Sequence, residues 1–247
     1  MDCTVIIPTL EMALPATDLI VQELVHNSEN VKKIIFINNR KEPTLAARYS
    51  DFSKMVFLDN LPNLIVNPAW NYGMNLVETK YYILLNDDLI VSGKLIDEII
   101  KLHESNDSFN LTTINTHRIF GMTPANLANA KKEFSQSKLS IPLKYKKVHY
   151  PDYRQGWFML GKTAEWTPIY IPACGVLNHG DDWIYQRNLE KFGAAIFIEN
   201  NYLWHFESTS SNHVSHGRNH VIESVAKPLE LDHELIVRNY GNIFLGK

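Results

Sequence analysis

The chain is poor in cysteine: its 247 residues include two, Cys3 and Cys174. Two cysteines cannot form a disulfide framework, and these two lack the spacing of a metal site. Long apolar runs are missing as well, because no stretch reaches the roughly 18 residues that a membrane span needs. The start M-D-C-T-V-I-I-P-T-L has no basic region and too short an apolar run for a signal peptide. We therefore expect a cytoplasmic protein of a reducing compartment, without a transmembrane segment.

A strong charge of one sign is also absent. The chain has 24 Lys and Arg against 27 Asp and Glu, a formal net charge of -3. This balance gives no support for a general nucleic-acid or membrane binder. One basic cluster stands out at residues 144–147, K-Y-K-K, and its simplest interpretation is a solvated loop. With 45% hydrophobic and 21% charged residues, the composition is ordinary for a globular protein with its own core.

Glycine-rich phosphate loops are the third absence. Neither G-x-G-x-x-G nor G-x-x-x-x-G-K-[ST] occurs, so a dinucleotide fingerprint and a P-loop are excluded. The loop at residues 9–15, T-L-E-M-A-L-P, contains no basic residue, which counts against a nucleotidyl- or pyrophosphoryl-transferring protein. Any phosphates must then be bound in another way, and a bridging cation is the economical one.

Apolar runs alternate with helical patterns through the first hundred residues. Runs typical of buried strands and segments with helical spacing predict a mostly parallel sheet flanked by helices. Between residues 105 and 153 the periodicity fades, apart from one candidate helix. This segment is either a loop-rich insert that positions a second substrate or a surface excursion without a role. We expect strands at 4–7, 31–37, 55–58, 81–85, 155–160, 194–198 and 201–206, and helices at 15–27, 67–77, 92–103, 123–134, 183–192 and 231–240.

Polar side chains follow three of these strands. Thr9 and Glu11 come after the first, residues 38–40 after the second, and Asn86-Asp87-Asp88 after the fourth. The carboxyl ends of strands are where ligands bind in open α/β sheets. Carboxylates there can hold a divalent cation, and the cation can hold phosphates. The alternative is that Asp87 and Asp88 stabilise the N-terminus of the helix that follows.

A second acidic pair, Asp181-Asp182, also precedes a helix. One carboxylate suffices as an N-cap, which leaves the other for a pocket as a general base. Further on, His205 lies between two aromatic residues. It is either a core residue or a metal ligand, since imidazole suits manganese. The polar segment at 208–220 is interpreted as a lid or substrate loop.

The order of these motifs resembles the GT-A nucleotide-sugar glycosyltransferases, in particular the family 2-like inverting enzymes. The resemblance spans residues 4–211, and the segments that carry it are V-I-I-P-T-L, I-N-N-R, N-P-A-W-N-Y-G-M-N, L-L-N-D-D-L, G-D-D-W-I-Y-Q-R-N-L-E-K-F-G and W-H-F-E-S-T-S. It implies one Rossmann-like GT-A domain with a mixed, mostly parallel sheet. Residues 1–104 would form its nucleotide-sugar-binding half, and residues 105–247 its acceptor-binding and catalytic half.

The resemblance also implies roles for single residues. The D-x-D-like motif is Asn86 to Asp88, and Asp88 with His205 would bind Mn²⁺ or Mg²⁺. Asp182 would be the base, with Asp181 as the alternative. The residues implied around the nucleotide sugar are Pro8, Thr9, Glu11, Asn38, Asn39, Asn71, Asn75, Asn86, Asp87 and Asp88.

The function implied is metal-assisted transfer of a sugar from a nucleotide-diphosphate donor to a hydroxyl of a glycan or another acceptor, with inversion. This is the chemistry of a hexosyltransferase-like enzyme of class EC 2.4. Two alternatives stay open. Asn86 in the first D-x-D position is compatible with an inactive nucleotide- or carbohydrate-binding module, and the basic cluster at 144–147 is compatible with transfer to modified DNA bases. The overall charge does not favour a nucleic-acid partner.

Overall fold

The computed structural model describes residues 1–59, 61–148, 156–172, 180–193 and 195–207. The predicted loop at 208–220 and the predicted helix at 231–240 lie outside these ranges. Within them the chain forms a single α/β unit built on one mixed sheet.

The first half of the sheet is parallel, with neighbouring strands in the order β3-β2-β1-β4. The strands are β1 (Cys3–Thr9), β2 (Val31–Asn38), β3 (Met55–Leu58) and β4 (Tyr81–Leu85). The helices between them are α1 (Leu14–His26), α2 (Leu45–Arg48) and α3 (Asn67–Met74). Strands β1 and β4 are buried along their whole length and β2 from Ile34 onward, as expected for parallel strands covered by helices, whereas the edge strand β3 is partly buried.

The second half continues with antiparallel and parallel pairs. Its elements are β5 (Leu89–Ile90), α4 (Gly93–Ser105), β6 (Leu111–Phe120), α5 (Pro124–Gln136), β7 (Tyr145–Val148), β8 (Phe158–Lys162), α6 (Gly180–Phe192) and β9 (Ala195–Glu207). Strand β8 lies antiparallel between β4 and β6, and β9 runs parallel to β6. Strands β5 and β7 both pair antiparallel with β9.

Alternating side chains build a core on each face of the sheet. Val5 and Ile7 of β1 face one cluster, which α1 and α4 cover, whereas Ile6 faces the other, which includes Trp70 of α3 and Tyr185 of α6. This period of two is the geometry of a β-strand. The predicted mixed, mostly parallel sheet flanked by helices in a single domain is confirmed. The division at residue 104 stays a prediction.

Several strands differ from their prediction. The segment at 105–153 contains the ten-residue strand β6, whose buried first half gives way to partly exposed Asn, Thr, His and Arg. The separate strands predicted at 194–198 and 201–206 are one strand, β9, with a register shift opposite Ile114 and Asn115. Strand β1 continues through Pro8 rather than ending there. Its pairing with β4 stops at Ile6, so the missing N–H of the proline costs no ladder bond on that side.

The described helices reach at most 13 residues. A membrane span needs about 20 apolar residues. Within the described ranges, therefore, no helix has the length and apolarity to cross a bilayer.

Candidate functional site

Asp87 joins the ends of β1 and β4. Its Oδ2 accepts a hydrogen bond of 2.5 Å from Thr9 Oγ1, which in turn accepts one from the Glu11 N–H. Its backbone carbonyl accepts a hydrogen bond from Thr17 Oγ1 of α1. Burial, reinforced by the neighbouring Asp88 carboxylate, raises the pKa of Asp87 above its usual range. Asp87 therefore fixes the first strand to the strand that carries the acidic motif.

Asp88 meets His205, although the two are far apart in the sequence. Strand β5 begins one residue after Asp88 and pairs with β9 so that Leu89 lies opposite His205. The Phe206 N–H donates to the Asp88 carbonyl at 2.8 Å, which locks this register. As a result, His205 Nε2 lies 3.2 Å from Asp88 Oδ1. Both residues are buried, since only 8% of the surface of Asp88 and 6% of that of His205 is exposed.

This pair fits a divalent cation. Asp88 Oδ1, the atom that faces His205 Nε2, is buried and makes no hydrogen bond, and such an atom is costly unless it is coordinated or paired. A carboxylate oxygen and an imidazole nitrogen are accepted ligands of manganese and related ions. The described residues contain no group of three or more His, Cys, Asp or Glu side chains placed for a metal. Two protein ligands plus phosphate oxygens and water are a usual arrangement for a catalytic Mg²⁺.

Trp157 connects the parts of the site, and sequence reasoning missed it as a functional residue. Its carbonyl accepts the Asn86 N–H at 3.0 Å, extending the pairing of β4 with β8. Its indole ring lies over the His205 ring, with centroids 4.1 Å apart and planes at 30°. Its Nε1–H donates to Thr116 Oγ1 at 3.0 Å. Trp157 therefore contacts both the D-x-D-like motif and the histidine.

An ion pair lies beside this stack. Arg118 lies opposite His205 in the β6–β9 register, and its guanidinium is 5.9 Å from the centre of the Trp157 ring. Arg118 Nε donates to Glu207, whose Oε1 is 4.0 Å from His205 Nδ1. A carboxylate near the second nitrogen of a metal-binding histidine is a common way to orient the ring.

The second acidic pair lies in the first turn of α6. Asp181 Oδ2 accepts a hydrogen bond of 2.9 Å from the Gly156 N–H. Burial, together with the adjacent Asp182 carboxylate, raises the pKa of Asp181 to about 6. A Cβ atom at Gly156 would lie 2.3 Å from Asp181 Cβ, so this contact needs glycine. Because Gly156 precedes Trp157, the acidic pair adjoins the Asp88–His205 site.

Glu11 organises the loop after β2. It has a positive φ of 57° and its side chain accepts hydrogen bonds from Asn38 Nδ2, from Thr44 N and Oγ1, and from Leu45 N. Burial opposes ionisation, but the hydrogen bonds from Thr44, Asn38 and Leu45 outweigh it and hold the pKa of Glu11 below its usual range. Glu11 and Asn38 therefore hold one another at the strand edge.

Other predicted donor contacts also bind the protein itself. Asn39 holds the loop before α3 through the Ile65 carbonyl and the Leu64 N–H. Asn71 binds the backbone N–H and carbonyl of Ile171. Pro8 is buried in β1, whereas Asn75 is exposed at the end of α3. Their contacts with a donor stay predictions.

Asp59 is a further acidic residue that the sequence reading left out. It directly follows β3, at the same edge as Asn38 and Asn86, and that position after a strand is a signal that could have identified it. Burial raises its pKa, and its Oδ1 is buried without a hydrogen-bond partner. It belongs with the side chains that a ligand at this edge would meet.

Solved structures share this architecture. Residues 1–349 of S. aureus TarS align with a TM-score of 0.63 at 10% identity, covering 97% of this chain and 73% of that one. The same TarS fragment in complex with UDP-GlcNAc gives 0.61 at 13% identity, covering 85% and 61%. GalNAc-T7 with UDP, GalNAc and Mn²⁺ gives 0.65 at 10% identity, covering 83% and 44%. No protein-family model matches the sequence, and no curated protein matches it. The chain therefore has the GT-A fold of glycosyltransferases.

Proposed function

We propose that the chain is a glycosyltransferase that moves a sugar from a nucleotide-diphosphate donor to an acceptor hydroxyl with inversion. The observation that carries this proposal is the 3.2 Å approach of two buried groups, Asp88 and His205, beside the acidic pair of α6. The fold, shared with structures that contain UDP, UDP-GlcNAc or Mn²⁺, supports it. Uridine diphosphate sugars are therefore the first donors to test.

Asp88 and His205 would hold Mn²⁺ or Mg²⁺. When bound, such an ion supplies positive charge that stabilises the departing diphosphate. Trp157 would fix the plane of the His205 ring, and Glu207 would face its second nitrogen. Asn86 replaces the first acidic residue of the D-x-D pattern, so the protein contributes less negative charge than is usual.

Asp182 is the proposed general base. Asp181 accepts the Gly156 N–H and so holds the backbone before Trp157, and Asp182 would be the carboxylate that faces the acceptor. Asp182 would take the proton of the acceptor hydroxyl as its oxygen bonds to the anomeric carbon. On the opposite face, the bond from that carbon to the diphosphate oxygen breaks, and its electron pair leaves with the diphosphate. One displacement inverts the centre without a covalent enzyme intermediate.

Replacing Asp182 by Asn tests the base. We expect Asp182→Asn to lower sugar transfer at least about a hundredfold, because a general base typically contributes that much, while donor binding stays nearly unchanged. Product release measured with UDP-, GDP- and dTDP-sugars gives the rate, and calorimetry gives the binding. Glu190→Gln on the same helix is the matched control. Retained turnover in Asp182→Asn would reject this assignment.

Replacing Asp88 by Ala tests the cation site. Loss of one of two protein ligands should weaken Mn²⁺-dependent UDP binding by about tenfold or more. Calorimetry with and without Mn²⁺ measures it, and Asp107→Ala at an exposed position is the control. Equal Mn²⁺ dependence in both variants would place the cation elsewhere. A wild-type protein that binds donor yet transfers nothing to any acceptor and hydrolyses nothing would instead favour the inactive module that Asn86 allows.

A further inference from the structure

A cleft lies on the face of the sheet that Tyr202 and Trp204 present. It encloses about 330 Å³ between the end of α1, the start of α4, the end of α5 and the outer part of β6 and β9. This volume is within the range of small-ligand sites, about 300–1,000 Å³. Trp204 lines it, whereas the next residue, His205, faces Asp88. Because successive side chains of a strand point to opposite faces, the cleft is separate from the proposed donor site.

The floor of this cleft is a stack of aromatic rings. His117 and Tyr202 are nearly parallel, with centroids 4.3 Å apart and planes at 26°, and His117 also lies 5.3 Å from Trp204. Phe134 and Glu133 of α5 hold Trp204 in place, the first by an edge contact and the second by accepting its Nε1–H at 3.1 Å. His117 and Tyr202 remain exposed, Tyr202 by 39%. The floor therefore offers a rigid aromatic surface to another flat ring.

The surroundings of the floor are positively charged. Lys94 and Lys138 line the cleft. Residues 108–148, which supply β6, α5 and β7, contain seven Lys or Arg and a single acidic residue, Glu133. All seven basic side chains are exposed, although Arg118 pairs with Glu207 on the opposite face and Lys146 pairs with Glu199. Glu23 also lines the cleft, but its carboxylate oxygens accept hydrogen bonds from Asn27 Nδ2 and from the Gly93 N–H. The net charge of -3 for the whole chain therefore conceals a basic region.

Hydrogen bonds attach this basic region to the cleft. The Ser140 N–H donates to Asn201 Oδ1 at 2.9 Å, and the Lys144 N–H donates to Asn200 Oδ1 at 2.8 Å. Asn200 and Asn201 both line the cleft. The segment that leads from α5 into β7 thus forms the rim, and its Lys138 lines the cleft beside the aromatic floor.

We propose that this cleft binds a segment of single-stranded nucleic acid. Aromatic floors stack bases, and flanking lysines neutralise phosphates, which is the combination that single strands require. A neutral glycan has no charge to pair with the lysines. A polyanion without rings has no flat surface to stack on the aromatic floor. The inference goes beyond the proposed transferase activity, because binding here needs neither donor nor cation.

Fluorescence anisotropy with a labelled twelve-residue oligo-dT tests the proposal on the full chain without donor. Loss of one stacking ring in Tyr202→Ala should weaken binding about tenfold, whereas Tyr202→Phe should retain it. Tyr72→Ala is the matched control, because Tyr72 is 40% exposed on α3. Lys138→Ala should reduce the slope of log affinity against log salt by about 0.7, and Lys101→Ala, at the other end of α4 from Lys94, should not change it.

Any of the following results would overturn the proposal: no oligonucleotide binding at low salt, equal affinities of Tyr202→Ala and Tyr72→Ala, or binding of a neutral oligosaccharide in place of the oligonucleotide. Polyphosphate that competes equally well in wild type and Tyr202→Ala would reduce the site to charge alone and would also reject it. Melting curves of each variant exclude unfolding as the cause. UDP binding with Mn²⁺, measured in the same samples, separates a failure here from a failure of the proposed transferase function.

Discussion

At the scale of single residues, the proposed active site depends on side chains that hold other side chains. Trp157 covers His205 with its ring and binds Asn86 with its carbonyl, while Gly156 beside it donates to Asp181. Two consecutive residues thus connect the D-x-D-like motif, the histidine and the acidic pair. Removing Trp157 should therefore affect the cation site without removing a ligand.

We expect Trp157→Ala to lower Mn²⁺ affinity about tenfold, as is common when a residue that orients a metal ligand is lost. Trp157→Phe, which keeps a ring over His205, should lose much less, and Thr116→Val, which removes the partner of the indole N–H, should lie between them. Electron paramagnetic resonance of free Mn²⁺ in the presence of UDP measures the affinity. If Phe and Ala at this position behave alike, the ring has no orienting role.

The residues proposed to do the chemistry stand out in the sequence, but the residues that position them do not. Asp88 and Asp182 stand out because charge follows an apolar run or precedes a helix. Trp157 does not, since an aromatic residue in an apolar segment looks like core. Its contact with His205 depends on β8 and β9 both entering one sheet, which local periodicity does not encode.

At the scale of elements, most of the first hundred residues were predictable, because apolar runs mark β1 to β4 and helical spacing marks α1, α3 and α4, whereas the short α2 and β5 were not predicted. Strand β6 was missed because its outer half carries Asn, Thr, His and Arg, which face solvent, the Trp157 stack or the cleft. Strand β9 was divided in two because the polar residues 199–201 interrupt its apolar pattern at the register shift. In both cases the polar residues that hid a strand are the ones at a surface proposed to bind.

The packing of α4 on α1 offers a test at this scale. A Cβ atom at Gly93 would lie 2.4 Å from the Glu23 carbonyl oxygen and 2.8 Å from the Ser28 nitrogen, both backbone atoms. Gly93→Ala should therefore destabilise the fold by about 1–3 kcal/mol, the usual cost of overpacking. Urea unfolding measures it, with Lys101→Ala on the exposed side of the helix as a control that should stay within about 0.5 kcal/mol. If Gly93→Ala left the free energy of unfolding unchanged, α4 would be able to shift away from α1 at no cost in stability.

At the scale of the whole molecule, the two halves of the sheet differ in character. The first is a parallel sheet with a hydrophobic core on each face, and the second adds antiparallel strands and most of the exposed positive charge. The single-domain fold was predictable from the alternation of strands and helices. The charge asymmetry was visible in the sequence, but its meaning depends on how β6, α5 and β7 surround one cleft.

Stability should depend on pH through Glu165. Burial raises its pKa to about 7 although Lys162 acts in the opposite direction, and its Oε2 lacks a hydrogen-bond partner. A carboxyl whose pKa is higher in the folded than in the unfolded state costs stability as the pH rises from about 4.5 to 7. Glu165→Gln should therefore stabilise the fold at pH 8 by about 1–2 kcal/mol more than at pH 5. Urea unfolding at both pH values measures this difference. A gain that is equal at the two pH values would contradict it.

Strand β9 presents His205 on one side and Tyr202 with Trp204 on the other. The register shift in its pairing with β6 lies at residues 199–201. If one residue were inserted there and the pairing shifted with it, each later side chain would point to the opposite face, and His205 would turn away from Asp88. A change of two would restore both. Insertions at residues 199–201 in natural relatives should therefore have an even number of residues. Inserting an odd number into this chain should disable the proposed cation site and the cleft together.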